Sequence, residues 1–198
     1  MKKIILTCVL LIGITSLSLI KAQTSTSFGV KLNGNVTHLK LENRKSSFEP
    51  GASIGAFSKI EFGNHFALQP ELMLNYSESK VKYGNQKIKY KYASVEIPIY
   101  AMGQFKAGNG KLFFGIGPDI GYGFGIDSKK EKLNDNEPGA NKLDIHHWFL
   151  GGAVIAGYEF KNGLTLHSSY QQVYDLSSGN KRPNMDVHTI SLGIGYKF

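Results

Sequence analysis

Residues 111–127 read "KLFFGIGPDIGYGFGID", and they alternate without a break. Leu112, Phe114, Ile116, Pro118, Ile120, Tyr122, Phe124 and Ile126 fall on one parity. Phe113, Gly115, Gly117, Asp119, Gly121, Gly123, Gly125 and Asp127 fall on the other. A period of two marks a strand, because successive side chains point to opposite faces of a sheet. One face here is bulky and apolar; the other is mostly glycine and acid. The pattern recurs along the chain. Phe66, Leu68, Pro70, Leu72, Leu74 and Tyr76 oppose Ala67, Gln69, Glu71, Met73, Asn75 and Ser77. Ala93, Val95, Ile97 and Ile99 oppose Ser94, Glu96, Pro98 and Tyr100, and Ile190, Leu192, Ile194, Tyr196 and Phe198 oppose Thr189, Ser191, Gly193, Gly195 and Lys197.

This alternation predicts eight strands near 26–39, 51–62, 65–80, 87–105, 111–126, 144–160, 164–176 and 185–198. No segment carries a helical period. Gly63-Asn64, "AGNG" at 107–110 and "KNG" at 161–163 are short turns rich in residues that tolerate positive φ. The other connections, near 40–50, 80–87, 127–143 and 177–184, are longer and charged. Short turns at one end and long loops at the other describe an up-and-down meander.

Volume decides which face points inward. A soluble barrel keeps bulky apolar residues inside, but eight strands enclose an interior that only just holds small side chains. The rings on the apolar face would not fit there, so the sheet is reversed, with rings toward lipid and glycine, serine and a few charges inside. In hydrocarbon an all-strand structure must close on itself, since an open edge leaves backbone groups unpaired at several kcal/mol each. The expected fold is therefore all-β, an eight-stranded antiparallel up-and-down transmembrane β-barrel. Tyr76, Tyr122, Trp148, Tyr158, Phe160, Tyr196 and Phe198 then fall near strand ends on the outward face, as aromatic girdles require.

The N-terminus, "MKKIILTCVLLIGITSLSLIKAQ", sets two lysines before an apolar run and Ala22 before Gln23, which predicts a signal peptide over 1–22 and a barrel domain over 23–198. The run is slightly short for a membrane-anchoring helix. Cys8, the one cysteine, lies inside that run, so the rest of the chain offers no disulfide or thiolate metal site. Loss of Lys2, Lys3 and Lys21 takes the basic count from 23 to 20 against 15 acids, a net charge of +5. No basic helix or nucleic-acid motif accompanies that excess, so nucleic acid is not an expected partner.

The inward parity collects Lys31, Lys59, Glu61, Glu71, Glu96, Asp119, Glu159, His167, Asp175 and Lys197. Charges in so narrow a lumen must pair, because an isolated buried charge is very costly. A plug of salt bridges is the expectation, with a proton or ion path as its alternative. Glu71 and Glu96 lie at similar depth on neighbouring strands, which predicts a basic partner beside them. His167-x-Ser169 is similar to the active-site pair of lipid A deacylases, where a histidine activates a serine. Here Leu164, Leu166 and Tyr170 take the outward parity, which turns His167 and Ser169 inward and away from lipid. His146 and His147 are adjacent on a strand and face opposite ways, so they cannot share a metal. No catalytic residue, metal or cofactor is expected. Lys80, Lys82, Lys87, Lys89 and Lys91 form an outward comb at the long-loop end of one hairpin, read either as a solvated, protected edge or as a contact for lipopolysaccharide phosphates.

The segments "LQPELMLNYSESK", "YASVEIPIYAMGQF", "LFFGIGPDIGYGFG", "FLGGAVIAGYEFKNGLTLHSSYQQVYDL" and "HTISLGIGYKF" together resemble the PorT-like outer membrane β-barrel family of Gram-negative bacteria. "QPEL", "EIP" and the terminal "GYKF" are the most specific pieces. The resemblance implies an eight-stranded barrel in the outer membrane. It also implies that Phe198, with Tyr196, is the aromatic C-terminal signal read by the barrel insertion machinery. Three roles follow as expectations: a structural or interaction protein assisting envelope integrity or secretion, a small-ligand binder or narrow conduit, and, more distantly, a lipid A-modifying enzyme.

Overall fold

The computed structural model describes residues 24–41, 48–83, 86–130, 147–176 and 185–198; the expected leader and the centres of the longer loops lie outside the described residues. Eight strands follow one another: β1 Thr24–Leu41, β2 Phe48–Phe62, β3 Phe66–Tyr83, β4 Gln86–Ala107, β5 Gly110–Lys130, β6 His147–Phe160, β7 Leu164–Asp175 and β8 Met185–Lys197. Each pairs antiparallel with the next, and β8 returns to β1 to close the barrel. The hairpin β3–β4 runs further than the alternation suggested, to Tyr83↔Gln86, and β5 continues to Lys130 rather than ending near residue 126. The strand periodicity fades there, but the backbone ladder continues to pair beyond the apolar stripe.

Register fixes the barrel's dimensions. From Thr26 the ladder passes through Ile60, Leu68, Ala101, Ile116, Val154, Tyr170 and Ile190, and returns to β1 at Val36, ten residues further along. Eight strands with that stagger tilt by about 40° and place the backbone about 8 Å from the axis. The outward face on β3, from Phe66 to Tyr76, then spans about 25 Å of height, the thickness of a bilayer's apolar band. Phe28, Leu32, Ile54, Leu74, Ile116 and Leu192 are among the large apolar side chains exposed along it.

Aromatic pairs bracket the band. At the short-turn end Tyr158 meets Phe160 at 4.8 Å between ring centroids, Phe105 stacks on Phe114 at 5.8 Å and Tyr196 meets Phe198 at 5.7 Å. At the other end Tyr122 packs edge-on against Trp148 at 5.3 Å. Gly63 (φ 69°) and Gly163 (φ 87°) let two of the short turns reverse direction where a side chain would be strained.

The lumen departs from the expectation of small and charged residues alone. Phe57, Met73, Tyr100, Met102, Phe113, Phe149, Ile155 and Val173 are buried inside it. Room comes from glycine on the neighbouring strand. A Cβ on Gly157 would stand 2.7 Å from the Phe113 ring, one on Gly29 would collide with the Phe57 ring, and one on Gly121 with the Phe149 ring. Gly121, expected on the inward face, and Gly29 and Gly157 therefore seat rings inside the barrel, and the lumen is filled by this large-on-small packing as well as by charge.

Candidate functional site

Polar groups in the lumen form three tiers. Nearest the short turns, Glu159 accepts hydrogen bonds from Lys59 (2.5 Å) and Lys197, and Glu61 accepts from Lys111 (2.8 Å) and Gln104 (2.8 Å). Lys59 Nζ also lies 3.9 Å from Glu61, which joins both halves into one network of three lysines and two glutamates. These residues come from β2, β4, β5, β6 and β8, so the network ties together strands far apart in sequence. Gln104 and Lys59 are almost completely enclosed.

In the middle tier Lys31 donates to Glu71 at 2.6 Å, Gln69 donates to the same carboxylate oxygen at 2.7 Å, and the Lys31 ammonium lies 5.8 Å from the Tyr100 ring centroid. Asn33 donates to Ser53 at 2.8 Å, which leaves its carbonyl oxygen to accept from His167 Nε2 at 2.8 Å. An apolar cluster of Ala67, Tyr100, Met102, Phe113, Ala153 and Ile155 fills the space beside these contacts.

In the upper tier Ser94 donates to Glu96 at 2.6 Å, and the Gln171 amide donates to Glu96 at 2.7 Å and also to Asp119. This corrects one expectation: a lysine serves Glu71, but Glu96 meets an amide, a hydroxyl and a second carboxyl instead of a cation. The stagger of the wall is the reason. It brings β1 and its Lys31 opposite Glu71 and leaves Glu96 level with β5 and β7.

Lys31, Lys59, Glu61, Glu71, Glu96, Asp119, Glu159, His167 and Lys197 all lie on the inward face. His167 Nε2 faces Asn33 and its Nδ1 is buried without a hydrogen-bond partner, so neither nitrogen activates Ser169. Lys111, Gln69, Gln104 and Gln171 join the network beyond the residues expected from the sequence, and their parity turns them inward. The side chains of Lys80, Lys82, Lys87, Lys89, Lys91 and Asp175 lie outside the described residues; the backbone pairs Lys80 with Lys89 and Lys82 with Lys87. Tyr196 and Phe198 stand on the outer wall, and the Phe198 amide donates to the Phe28 carbonyl at 2.8 Å. No group of three or more metal-ligating side chains occurs among the described residues.

Solved outer membrane barrels share this architecture. OprG from Pseudomonas aeruginosa superposes with a TM-score of 0.54 at 15% identity, over 90% of this chain and 99% of that one. Neisserial surface protein A gives 0.52 at 13% identity over 88% and 99%, and the outer membrane enzyme PagL gives 0.50 at 13% over 84% and 98%. At these identities the likeness is one of fold. No curated protein matches by sequence. The family model for the outer membrane protein β-barrel domain matches residues 21–172. A closed eight-stranded wall with rings outward, a filled polar lumen and a family match over most of its length give one assignment: the chain belongs to the outer membrane protein β-barrel domain family.

Proposed function

We propose that this outer membrane barrel is a non-conducting interaction protein, which presents its long-loop rim to partners of the envelope or secretion machinery and carries out no catalysis. The observation that supports this most is the lower tier, where three lysines and two glutamates of strands β2, β5, β6 and β8, with Gln104 of β4, meet across the lumen. A path for solutes would have to break several charge-assisted bonds at once, each worth more than a neutral hydrogen bond. One concavity of about 1000 Å³ is lined largely by outward side chains such as Leu32, Leu166, Leu192 and Ile194, so it belongs to the outer wall rather than to a lumen chamber. Purified barrel in a planar bilayer should give no stable conductance steps. Steady single-channel steps at neutral pH would favour the conduit reading instead.

Within the family, "QPEL", "EIP" and "GYKF" support a PorT-like membership, and the aromatic end at Tyr196 and Phe198 supports recognition by the insertion machinery. Export by a cleaved leader and termini at the periplasmic face complete the reading, since short turns in such barrels face the periplasm. Orientation is open to test at Asn162, in the turn beside Gly163. An Asn162→Cys variant should react with a membrane-impermeant thiol reagent only after the outer membrane is permeabilised. Labelling in intact cells would invert the topology.

The lysine comb of Lys80, Lys82, Lys87, Lys89 and Lys91 is the proposed lipopolysaccharide contact, because five like charges on one hairpin repel unless anions lie among them. Each contact near an anionic surface contributes about 1 kcal/mol. Replacing all five by glutamine should weaken co-purification with lipopolysaccharide and lower thermal stability in lipopolysaccharide-containing membranes but not in neutral detergent. Equal loss in both media would assign the lysines to the hairpin itself.

A further inference from the structure

Three carboxylates of the lumen, Glu61, Glu71 and Glu159, each lie 2.5–2.8 Å from a lysine ammonium. Glu96 and Asp119 do not. Both are buried, Asp119 completely, and one side-chain nitrogen, Gln171 Nε2, donates to both. Glu96 receives a second hydrogen bond from Ser94, whereas Asp119 Oδ1 is buried with no partner at all. The two carboxyl groups are therefore neighbours across a single amide, with one oxygen unsatisfied.

Among the described residues the surroundings supply no counter-charge. From β3 the pair is faced by Glu71, already held by Lys31 of β1, and by Asn75, which reaches Ser94 at 3.5 Å. From β4 come Ser94 and the Tyr100 phenol, and β6 places the uncharged Gly151 opposite Asp119. His167, four residues before Gln171 on β7, is turned to Asn33. Lys59, Lys111 and Lys197 are engaged in the lower tier. Burial and like-charge repulsion act in the same direction against two negative charges held on one amide.

We propose that Glu96 and Asp119 form a single-proton binding site in the lumen, the pair holding one proton between them in the folded barrel at neutral pH, bridged by Gln171. The proton belongs to the pair rather than to either residue. It removes one of the two charges, and it supplies a donor among four oxygens, one of which, Asp119 Oδ1, has no hydrogen-bond partner among the described residues. Its loss would place two negative charges on one amide, so the packing of β4, β5 and β7 around the upper lumen is linked to proton supply.

Infrared spectroscopy of the barrel in bilayers tests this directly. Wild type at neutral pH should show the carbonyl stretch of a protonated carboxyl group, shifted in D2O, and both Glu96→Gln and Asp119→Asn should abolish it, since a lone acid beside the Gln171 donors can ionise. Should either variant fail to fold, isotope labelling of glutamate or aspartate carboxyls in wild type replaces it: each label should move part of the band. Unfolding must also release the proton, so the unfolding constant of wild type should rise about tenfold per pH unit above neutrality relative to the Glu96→Gln/Asp119→Asn double variant. Absence of the band, survival of the band in both single variants, or its loss in only one, would overturn the shared site. So would a missing band together with stabilisation by sodium or calcium at fixed ionic strength that Glu96→Gln removes, since the pair would then hold a metal cation.

Discussion

Replacing Glu159 by alanine is expected to lower the unfolding free energy of the barrel in lipid vesicles by about 3 to 5 kcal/mol, the range for removing one partner of a buried ion pair. Its carboxylate accepts from Lys59 at 2.5 Å and from Lys197, and Lys59 is almost wholly enclosed. Without Glu159 the nearest carboxylate left to the Lys59 ammonium is Glu61 at 3.9 Å, beyond hydrogen-bond reach. Two positive charges then share a confined end of the lumen. Urea unfolding followed by tryptophan fluorescence, with Trp148 as the single reporter, measures the loss. Glu159→Gln should lose nearly as much, because shape is kept and charge is not. Combining Lys59→Met with Glu159→Leu should recover a large part, since an apolar pair needs no desolvation of charge. A loss below about 1 kcal/mol for Glu159→Ala, the size of an exposed pair, would mean that water already solvates this network.

The second large effect is expected at Gly121, whose Cβ would collide with the Phe149 ring and lie 2.8 Å from the Val95 carbonyl oxygen. Gly121→Leu forces a branched side chain into space that the Phe149 ring already fills, and overpacking of this kind destabilises by about 1 to 3 kcal/mol. Ile120→Leu, one residue away on the lipid-facing wall, should change stability by less than about 0.5 kcal/mol. Pairing Gly121→Leu with Phe149→Ala should restore much of the loss, because the volume removed on β6 lies where the new side chain must go. Equal tolerance at Gly121 and Ile120 would mean that the two faces are assigned the wrong way round. No recovery in the double variant would place the strain in the backbone contact to Val95 instead.

Parity along each strand made much of this legible in advance. The alternation at 111–127 separated Ile120 from Gly121, and the same rule turned Lys31, Glu71, Glu96, Asp119, Glu159 and His167 inward. The same rule turns Lys111 and Gln171 inward, where they join networks whose partners parity alone does not specify. The strand ends at Tyr83 and Lys130 were harder to see, because backbone pairing continues there without an apolar stripe to mark it.

What the sequence determined by itself was the face of the side chains along the apolar band and the class of the fold. Alternation has a period of two whatever the strand's neighbours are, and the volume of the rings on one face excludes an eight-stranded interior that would contain them all. Partnership across the lumen was decided only by tertiary structure. Lys59 and Glu159 are 100 residues apart, and whether they meet depends on the stagger accumulated around the whole closed wall. A shift of two residues in one pairing keeps every face and changes every partner. That stagger is why Glu71 receives a lysine and Glu96 a second carboxyl, and why Phe149 rests on Gly121.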